Sequence, residues 1–330
     1  MDTFKSFESN LYGINDDTFA DIALGLFRFQ AAHNAVYKAF VDNLRVNPAQ
    51  VQRLEDIPFM PIAFFKTHTV QTGVWTPQTV FTSSGTTGAA VSRHPVNDLA
   101  FYLRHSERCF EHFFGPLTDY HFLALLPSYL EREGSSLIAM MDHFIKASGS
   151  PYSGFYLYTV DKLLADLDKL RNDSRKVILW GVSFALLDLV EQYHPDLSHC
   201  LVFETGGMKG RRREITRAEL HTTLTQGFNV SSVFSEYGMT ELLSQAYTRG
   251  GAQFTAPPFM KIIGREITDP LTKGLVGETA ALNVIDLANW NSIAFIETED
   301  LGRVYPNGSF EVLGRMDNSD VRGCNLLVSQ

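Results

Sequence analysis

Residues 81–93 read FTSSGTTGAAVSR, a loop rich in glycine and hydroxyl side chains that directly follows a short apolar run. Glycine lets the backbone come close to a polyphosphate, and hydroxyls donate hydrogen bonds to phosphate oxygens. The residues with these properties are Ser83, Ser84, Gly85, Thr86, Thr87 and Gly88, followed by the cation Arg93. The lysine of the common GxxxxGK[ST] loop is missing, so the segment predicts a phosphate site of another type. On composition alone, a polar turn between two strands is an equal alternative.

Two later segments carry side chains suited to a nucleotide. Residues 204–210 read ETGGMKG, in which Gly206 and Gly207 would let a flat base lie against the backbone. Residues 235–241 read SEYGMTE, and the candidate nucleotide contacts there are Glu236, Tyr237, Gly238, Thr240 and Glu241. A tyrosine offers an aromatic face to a purine, and a glutamate is a hard oxygen ligand for Mg²⁺. Taken alone, the first segment is more simply a strand-to-helix turn, and the second also fits the start of a helix.

Two segments near the end of the chain also carry side chains suited to binding a nucleotide. Residues 298–302 read TEDLG, where the carboxylate of Asp300 can accept two hydrogen bonds from a cis diol. Residues 314–323 read GRMDNSDVRG and supply the cation Arg315. By itself, each segment has the composition of an ordinary hairpin loop.

In their order along the chain, SSGTTG, YGMTE, TEDLG and GRMDN resemble the signatures of the adenylate-forming superfamily, which includes the acyl-CoA synthetases. The resemblance implies an α/β fold, with a large N-terminal domain of mixed and parallel sheets flanked by helices and a small C-terminal β subdomain. It also implies ATP and Mg²⁺ as cofactors. The implied contacts are Thr86 and Thr240 with phosphate, Glu241 with the metal, Gly206 and Gly207 with adenine, Asp300 with the ribose hydroxyls, and Arg315 with the nucleotide.

The chain departs from that family at its C-terminal end. Typical members continue into a mobile domain that carries a catalytic lysine, whereas this chain stops seven residues after Gly323. We therefore expect the mobile domain to be absent, or supplied separately, and another cation to stabilise the reacting charges. The candidates for that cation are Lys209, Lys66 and Arg93.

One branch of the superfamily also ends at this point: the acyl-protein synthetases of the bacterial luminescence fatty-acid reductase complex. Residues 57–66, IPFMPIAFFK, resemble a proline-rich segment of that branch, and GGMK at residues 206–209 resembles its GGWK. Cys324 lies where the branch carries a cysteine that accepts the acyl group as a thioester. Without the resemblance, Cys324 would be read as a small buried hydrophobe.

Hydrophobic periodicity predicts the elements that hold these motifs. It indicates one helix over residues 16–46, ended by the Asn-Pro pair at residues 47–48. Short apolar runs then alternate with amphipathic helical stretches, as in buried strands joined by crossover helices. After about residue 260 the pattern changes to short β runs separated by turn residues. We predict an α/β body over residues 1–259 and a β-rich subdomain over residues 260–330.

Charge, cysteine spacing and hydrophobicity argue against several classes of protein. The formal charge of −9 is spread along the chain, which argues against nucleic acid. The three cysteines have neither disulfide-framework nor zinc-ribbon spacing. No basic segment precedes an apolar stretch at the N-terminus, and no window approaches the roughly 20 apolar residues that span a bilayer. We expect a cytoplasmic protein that does not cross a membrane.

These observations predict an AMP-forming ligase that converts a carboxylic acid, by resemblance a fatty acid, into an acyl adenylate and passes the acyl group to a thiol. The acceptor would be Cys324, coenzyme A, or a partner such as an acyl-accepting reductase or carrier protein. Residues 136–144 and 180–184 are candidates for the acid channel. The alternatives are an acyl- or aryl-CoA ligase of the phenylacetate-activating type and a nucleotide-binding protein without catalysis.

Overall fold

The computed structural model describes residues 7–83, 91–127, 134–206, 213, 215–269 and 271–316. Its helices are α1 (Phe7–Leu11), α2 (Asp16–His33), α3 (Ala35–Asn43), α4 (Phe64–Thr67), α5 (Leu99–Phe114), α6 (Ser136–Ala147), α7 (Val160–Lys169), α8 (Ser183–Tyr193) and α9 (Arg217–Phe228). Its strands are β1 (Met60–Pro61), β2 (Thr79–Thr82), β3 (Arg93–Val96), β4 (Tyr120–Leu125), β5 (Gly154–Phe155), β6 (Lys176–Val182), β7 (Cys200–Thr205), β8 (Val233–Tyr237), β9 (Ala246–Thr248), β10 (Phe254–Thr255), β11 (Met260–Arg265), β12 (Ala280–Asp286), β13 (Phe295–Val304) and β14 (Phe310–Arg315). Among the helices of these ranges, none combines the length and the apolar character needed to cross a membrane.

One hydrogen-bonded sheet contains most of the strands. Its order is β11-β12-β13-β14-β10-β9-β8-β7-β6-β4-β5, with β1 added beside β13, while β2 and β3 form a separate hairpin. Neighbours from β5 to β8 are parallel. Neighbours from β8 to β11 are antiparallel. The mixed sheet flanked by helices confirms the α/β class that the sequence predicts.

The parallel half of the sheet is covered by helices on both faces, which explains its apolar strands. Every residue of β4 is buried, and β6 is buried after its first residue. On one face, α5 supplies Phe110, whose ring centroid lies 6.3 Å from those of Trp180 and Phe203. Burying an aromatic side chain of this size stabilises the fold by roughly 1.5–3 kcal/mol. The packing aligns the carboxyl ends of β6, β7 and β8 along one edge, where parallel sheets commonly bind ligands.

The predicted single helix over residues 16–46 is wrong, because the structure divides it at Asn34 into α2 and α3. Asn34 is fully buried and has an extended backbone. Its side-chain oxygen accepts a hydrogen bond from the Tyr37 amide, and its Nδ2 donates to the Ser292 carbonyl at 3.0 Å. Asparagine is a strong N-cap residue, so the side chain begins a second helix while it also satisfies a distant backbone group. Hydrophobic periodicity continues across such a break, and therefore does not reveal it.

The strands after residue 260 are continuous with the rest of the sheet. Phe310 of β14 lies opposite Phe254 of β10, and β10 pairs in turn with β9. Residues on both sides of the predicted boundary therefore share one hydrogen-bonded network. The division into residues 1–259 and 260–330 stays a prediction.

Candidate active site

Tyr237, Asp300 and Arg315 come from three strands and meet around one carboxylate. The Tyr237 hydroxyl donates to Asp300 Oδ2 at 2.9 Å, and Arg315 Nε donates to Oδ1 at 3.3 Å. The Asp300 side chain is 8% exposed and that of Arg315 is 71% exposed. Burial, aided by the nearby Asp300 charge, raises the pKa of Tyr237 well above its ordinary value, so the phenol keeps its proton and remains a donor. The carboxylate is thus held in place and keeps lone pairs for ligand hydroxyls.

Register explains why Asp300 and Arg315 are adjacent. They are directly opposite each other in the antiparallel pair of β13 and β14. Opposite residues of such a pair project on the same side of the sheet with their Cβ atoms about 4.5–5.5 Å apart. The alternative interpretation of residues 298–302 and 314–323 as hairpin loops is therefore wrong as far as the structure describes them. Residues 298–302 lie inside β13, and Arg315 is the last residue of β14.

The turn that follows β8 holds Thr240 and Glu241. Glu241 is 4% exposed, and burial raises the pKa of its carboxyl although a hydrogen bond with Ser92 and the charges of Arg315 and Lys66 oppose the shift. These interactions place the carboxylate within electrostatic range of two cations. The alternative that residues 235–241 begin a helix is excluded, since Ser235 to Tyr237 belong to β8.

Distant side chains fix the backbone of this turn. His94 Nδ1 lies 2.8 Å from the Thr240 carbonyl oxygen, and Asn289 Nδ2 donates to the Glu241 carbonyl at 2.8 Å. Burial lowers the pKa of His94 to about 4, so near neutral pH the ring is uncharged and its Nδ1–H can donate to that carbonyl. Asp286 accepts from the amides of Leu243 at 2.8 Å and Ser244 at 3.0 Å. The turn therefore has little freedom to move its carboxylate.

The β2–β3 hairpin brings the ends of the glycine-rich loop to the same turn. Ser83 Oγ accepts from the Ser92 amide at 2.9 Å, and the Ser83 amide donates to the Ser92 carbonyl at 3.2 Å. Ser92 also bonds the Glu241 carboxyl. Arg93 begins β3 and is exposed. The two ends of the glycine-rich loop and the Thr240–Glu241 turn are thus in contact through Ser92. The remaining candidate residues of the loop lie outside the described residues: Ser84, Gly85, Thr86, Thr87 and Gly88.

Gly206 directly follows the neighbouring strand β7. It has a φ of +73°, in the left-handed region that favours glycine, and its carbonyl accepts from Ser183 Oγ at 3.3 Å. Gly206 comes after the parallel strand β7, and Tyr237 is the last residue of the parallel strand β8. Both residues therefore lie at the same edge of the sheet. Gly207, Lys209 and Cys324 lie outside the part of the chain that the structure describes.

Glu204 is a buried site residue that the sequence motifs do not single out. Its carboxylate accepts from Ser235 Oγ at 2.7 Å and from Ser183 Oγ at 3.2 Å, and His221 Nε2 and Arg217 Nη1 each lie 3.5 Å away. Burial raises its pKa, yet bonding to His221 and the Arg217 charge outweigh burial and leave the pKa lowered. No sequence signal links these residues, because the contacts depend on the packing of α9 against the ends of β7 and β8.

The donor chemistry fits an ATP–Mg²⁺ complex. Among the described residues, no three His, Cys, Asp or Glu side chains converge on a single point. These residues therefore do not form a metal site made entirely of protein ligands. Mg²⁺ commonly uses one or two carboxylates and completes its shell with water and substrate phosphates, which suits the lone carboxylate of Glu241. Asp300 supplies an acceptor for a diol at the same edge.

Comparisons with known proteins identify the fold. The sequence matches no family model and no curated protein. ATP-bound MatB from Rhodopseudomonas palustris is 18% identical with a TM-score of 0.53, over 72% of this chain and 47% of the MatB chain. A 2-hydroxyisobutyryl-CoA ligase in complex with 2-HIB-AMP and CoA is 13% identical with a TM-score of 0.68, over 92% of this chain and 70% of the ligase.

A malonyl-CoA ligase with methylmalonyl-CoA and AMP bound has 16% identity and a TM-score of 0.51, over 73% of this chain and 53% of that chain. This chain thus spans about half the length of the MatB and malonyl-CoA ligase structures. At such low identities, the likeness shows a shared fold. The chain has the fold that these acyl-CoA ligases share, as the resemblance of its motifs implies.

Proposed function

We propose that this chain activates a carboxylic acid with ATP to form an acyl adenylate and then passes the acyl group to a thiol. The observation that carries the proposal is the meeting of Tyr237, Asp300 and Arg315 beside the Thr240–Glu241 turn. These residues come from separate motifs, each ambiguous by itself. The comparison structures that contain ATP, AMP or 2-HIB-AMP add support to an adenylation reaction.

In the first step, a carboxylate oxygen of the acid attacks the α-phosphorus of ATP, and the bond to the bridging oxygen of pyrophosphate breaks. Asp300 would accept hydrogen bonds from the ribose hydroxyls while Tyr237 and Arg315 hold its carboxylate in place. Bound Mg²⁺ would offset charge on the phosphate oxygens, with Glu241 as its protein ligand. Thr240 and Thr86 would donate to the same oxygens, and Gly206, Gly207, Gly238 and the Tyr237 ring would line the adenine pocket.

In the second step, a thiolate attacks the acyl carbonyl, a thioester bond forms, and AMP leaves with the electrons of the broken bond. Two of the three cysteines are poor acceptors. Cys109 and Cys200 are buried, and burial raises the pKa of both thiols, that of Cys200 to about 12. A protonated, inaccessible thiol is a weak nucleophile. The acceptor is therefore Cys324, coenzyme A or a partner's thiol.

The decisive experiment is acid-dependent ATP–pyrophosphate exchange. A panel of fatty, aromatic and hydroxylated acids should contain at least one that supports exchange. Glu241→Ala should reduce the rate by at least about 100-fold, because a charge-stabilising ligand of the transition state is lost. The exposed Glu278 provides the matched control, and Glu278→Ala should retain the wild-type rate.

Undiminished exchange by Glu241→Ala would contradict the role of that carboxylate. Absence of exchange across the whole panel, with ATP still bound, would instead favour the noncatalytic nucleotide-binding alternative. Analysis of the reaction products identifies which thiol accepts the acyl group. A hydroxylamine-sensitive adduct on the protein that disappears in Cys324→Ser indicates self-acylation. Free acyl-CoA would indicate the phenylacetate-type alternative.

A further inference from the structure

Glu236 carries a buried carboxyl on the face of the sheet opposite to Tyr237. Successive strand residues point to opposite faces, so Glu236 shares a face with Phe234, whose ring packs against Phe114 of α5. In the antiparallel pair of β8 and β9, Glu236 lies directly opposite Tyr247. Thr205 Oγ1 donates to Glu236 Oε2 at 2.5 Å. This carboxyl therefore lies beneath α5, on the far side of its strand from Asp300.

Three buried polar atoms on or beside this face have no hydrogen-bond partner among the described residues. They are Trp180 Nε1, Tyr247 Oη and Gln245 Oε1. The rings of Trp180 and Tyr247 have centroids 6.2 Å apart. Leaving a buried polar group without a partner costs about 1–3 kcal/mol, so each of these atoms points to a group that completes it.

Gly238 lies close to the side chains of both Gln245 and Glu236. A Cβ built on Gly238 would lie 2.2 Å from Glu236 Oε1 and 3.4 Å from Gln245 Cγ. The Glu236 carboxyl therefore occupies the space where a side chain at position 238 would lie, and the Gln245 side chain approaches the same space. Gln245 is 4% exposed and Glu236 is 9% exposed. We define Glu236, Gln245, Tyr247 and Trp180 as the polar cluster.

The polar cluster offers a specific pattern of hydrogen bonding. Trp180 Nε1 can only donate, the free Gln245 oxygen can only accept, and a tyrosine hydroxyl can do both. Burial raises the pKa of Glu236 to about 7, so near neutral pH its carboxyl exists in both forms and can also accept or donate. A ligand group that both donates and accepts, such as a hydroxyl or a carboxamide, matches this set. An alkyl chain would leave every one of these atoms unsatisfied.

The position of the cluster associates it with the acid. Glu236 adjoins Tyr237 in the chain, and Thr205 adjoins Gly206, so the cluster borders the proposed nucleotide site at the carboxyl ends of β7 and β8. Because Tyr237 and Asp300 lie on the other face, the ribose and the cluster are on opposite sides of the strand. An acid whose carboxylate meets the α-phosphate from the α5 side would extend its acyl part toward the cluster.

On the basis of the proposed function, we infer that the acid substrate carries a hydroxyl or carboxamide on its acyl part, and that Glu236, Gln245 and Tyr247 recognise this group. Glu236 is then a determinant of acid specificity rather than the nucleotide contact that its motif suggests. The unsubstituted fatty acid implied by the sequence resemblance fits the cluster less well.

The test compares matched acids in the exchange assay. Four-, six- and eight-carbon alkanoic acids are each paired with counterparts that bear a hydroxyl or carboxamide near the carboxylate or at the far end. The wild-type protein should prefer a polar acid over its alkyl counterpart by at least about 100-fold in kcat/KM, because a site built for a hydroxyl rejects the analogue lacking it. Glu236→Leu should reduce that preference at least about tenfold while the KM for ATP is unchanged.

Two controls make the result decisive. The exposed-site variant Glu278→Leu should keep the wild-type preference, and circular dichroism identifies a misfolded Glu236→Leu, in which case the wild-type panel alone decides. Equal use of polar and alkyl acids by the wild-type protein would overturn the inference, leave the proposed function intact and indicate that water completes the cluster. Absence of exchange with every acid would overturn both.

Discussion

Glu236 and Tyr237 are chain neighbours, yet their side chains belong to different environments. Tyr237 donates to the Asp300 carboxylate, whereas Glu236 accepts from Thr205 beneath α5. The strand geometry of β8 produces this separation, since the side-chain period of a strand is two. One five-residue strand can therefore contribute to a nucleotide site with one face and to a second polar site with the other.

The buried carboxyl of Glu236 predicts an unusual pH dependence of stability. Burial, aided by the charge of Glu204, raises its pKa from 4.5 to about 7. Between these pH values, the unfolded state has released the proton that the folded state keeps, so this residue lowers stability as pH rises. Glu236→Gln removes the effect. Its free energy of unfolding relative to wild type should rise by up to about 3 kcal/mol between pH 4.5 and 7, then level off.

Urea denaturation at a series of pH values provides the measurement. The comparison is made between variant and wild type because other buried ionisable groups contribute equally to both. A difference that stays constant over this range, or that falls as pH rises, would contradict the raised pKa of Glu236.

The β13–β14 pair is the element on which the Asp300–Arg315 contact depends. Its register shifts between Leu301 and Gly302, immediately after Asp300. Gly302 permits this close approach, because a Cβ there would lie 2.1 Å from the Glu311 carbonyl oxygen and 2.8 Å from Leu282 Cδ1. The nearest atom belongs to the backbone and cannot rotate away.

Gly302→Ala should therefore displace β14 from β13. We expect a loss of about 1–3 kcal/mol in the free energy of unfolding, as for overpacking of a core, together with weaker ATP binding. Gly314 in the same pair has no atom within 4 Å of an added Cβ, so Gly314→Ala should be nearly neutral. Urea denaturation and equilibrium dialysis with ATP provide the two measurements, and equal behaviour of the two variants would contradict the steric argument.

On the scale of the whole molecule, contacts join helix α2 to the segment between β12 and β13, near the other end of the chain. Gln30 of α2 donates to the carbonyls of Asn289 and Trp290 at 3.0 and 3.1 Å and accepts from the Ala294 amide at 3.0 Å. The pairing of β14 with β10 continues the sheet across residue 260. Buried hydrogen bonds of this kind oppose independent unfolding of either part.

We therefore expect one cooperative thermal transition rather than two. Differential scanning calorimetry should give equal calorimetric and van't Hoff enthalpies, the sign of all-or-none unfolding. Two resolved transitions, or a fragment of residues 1–259 that folds alone, would favour the division predicted from the sequence.

The sequence by itself determined the local features: the glycine-rich loop after β2, the apolar strands of the parallel sheet and the polar residues that follow them. Such features depend on neighbours in the chain and on side-chain periodicity. Only the tertiary structure decided that Asn34 breaks a helix, that His94 supports Thr240, and that Glu236 bonds Thr205 and lies opposite Tyr247 instead of meeting Asp300. Those contacts join residues far apart in the chain, and they follow from strand register and helix packing, which local composition does not encode.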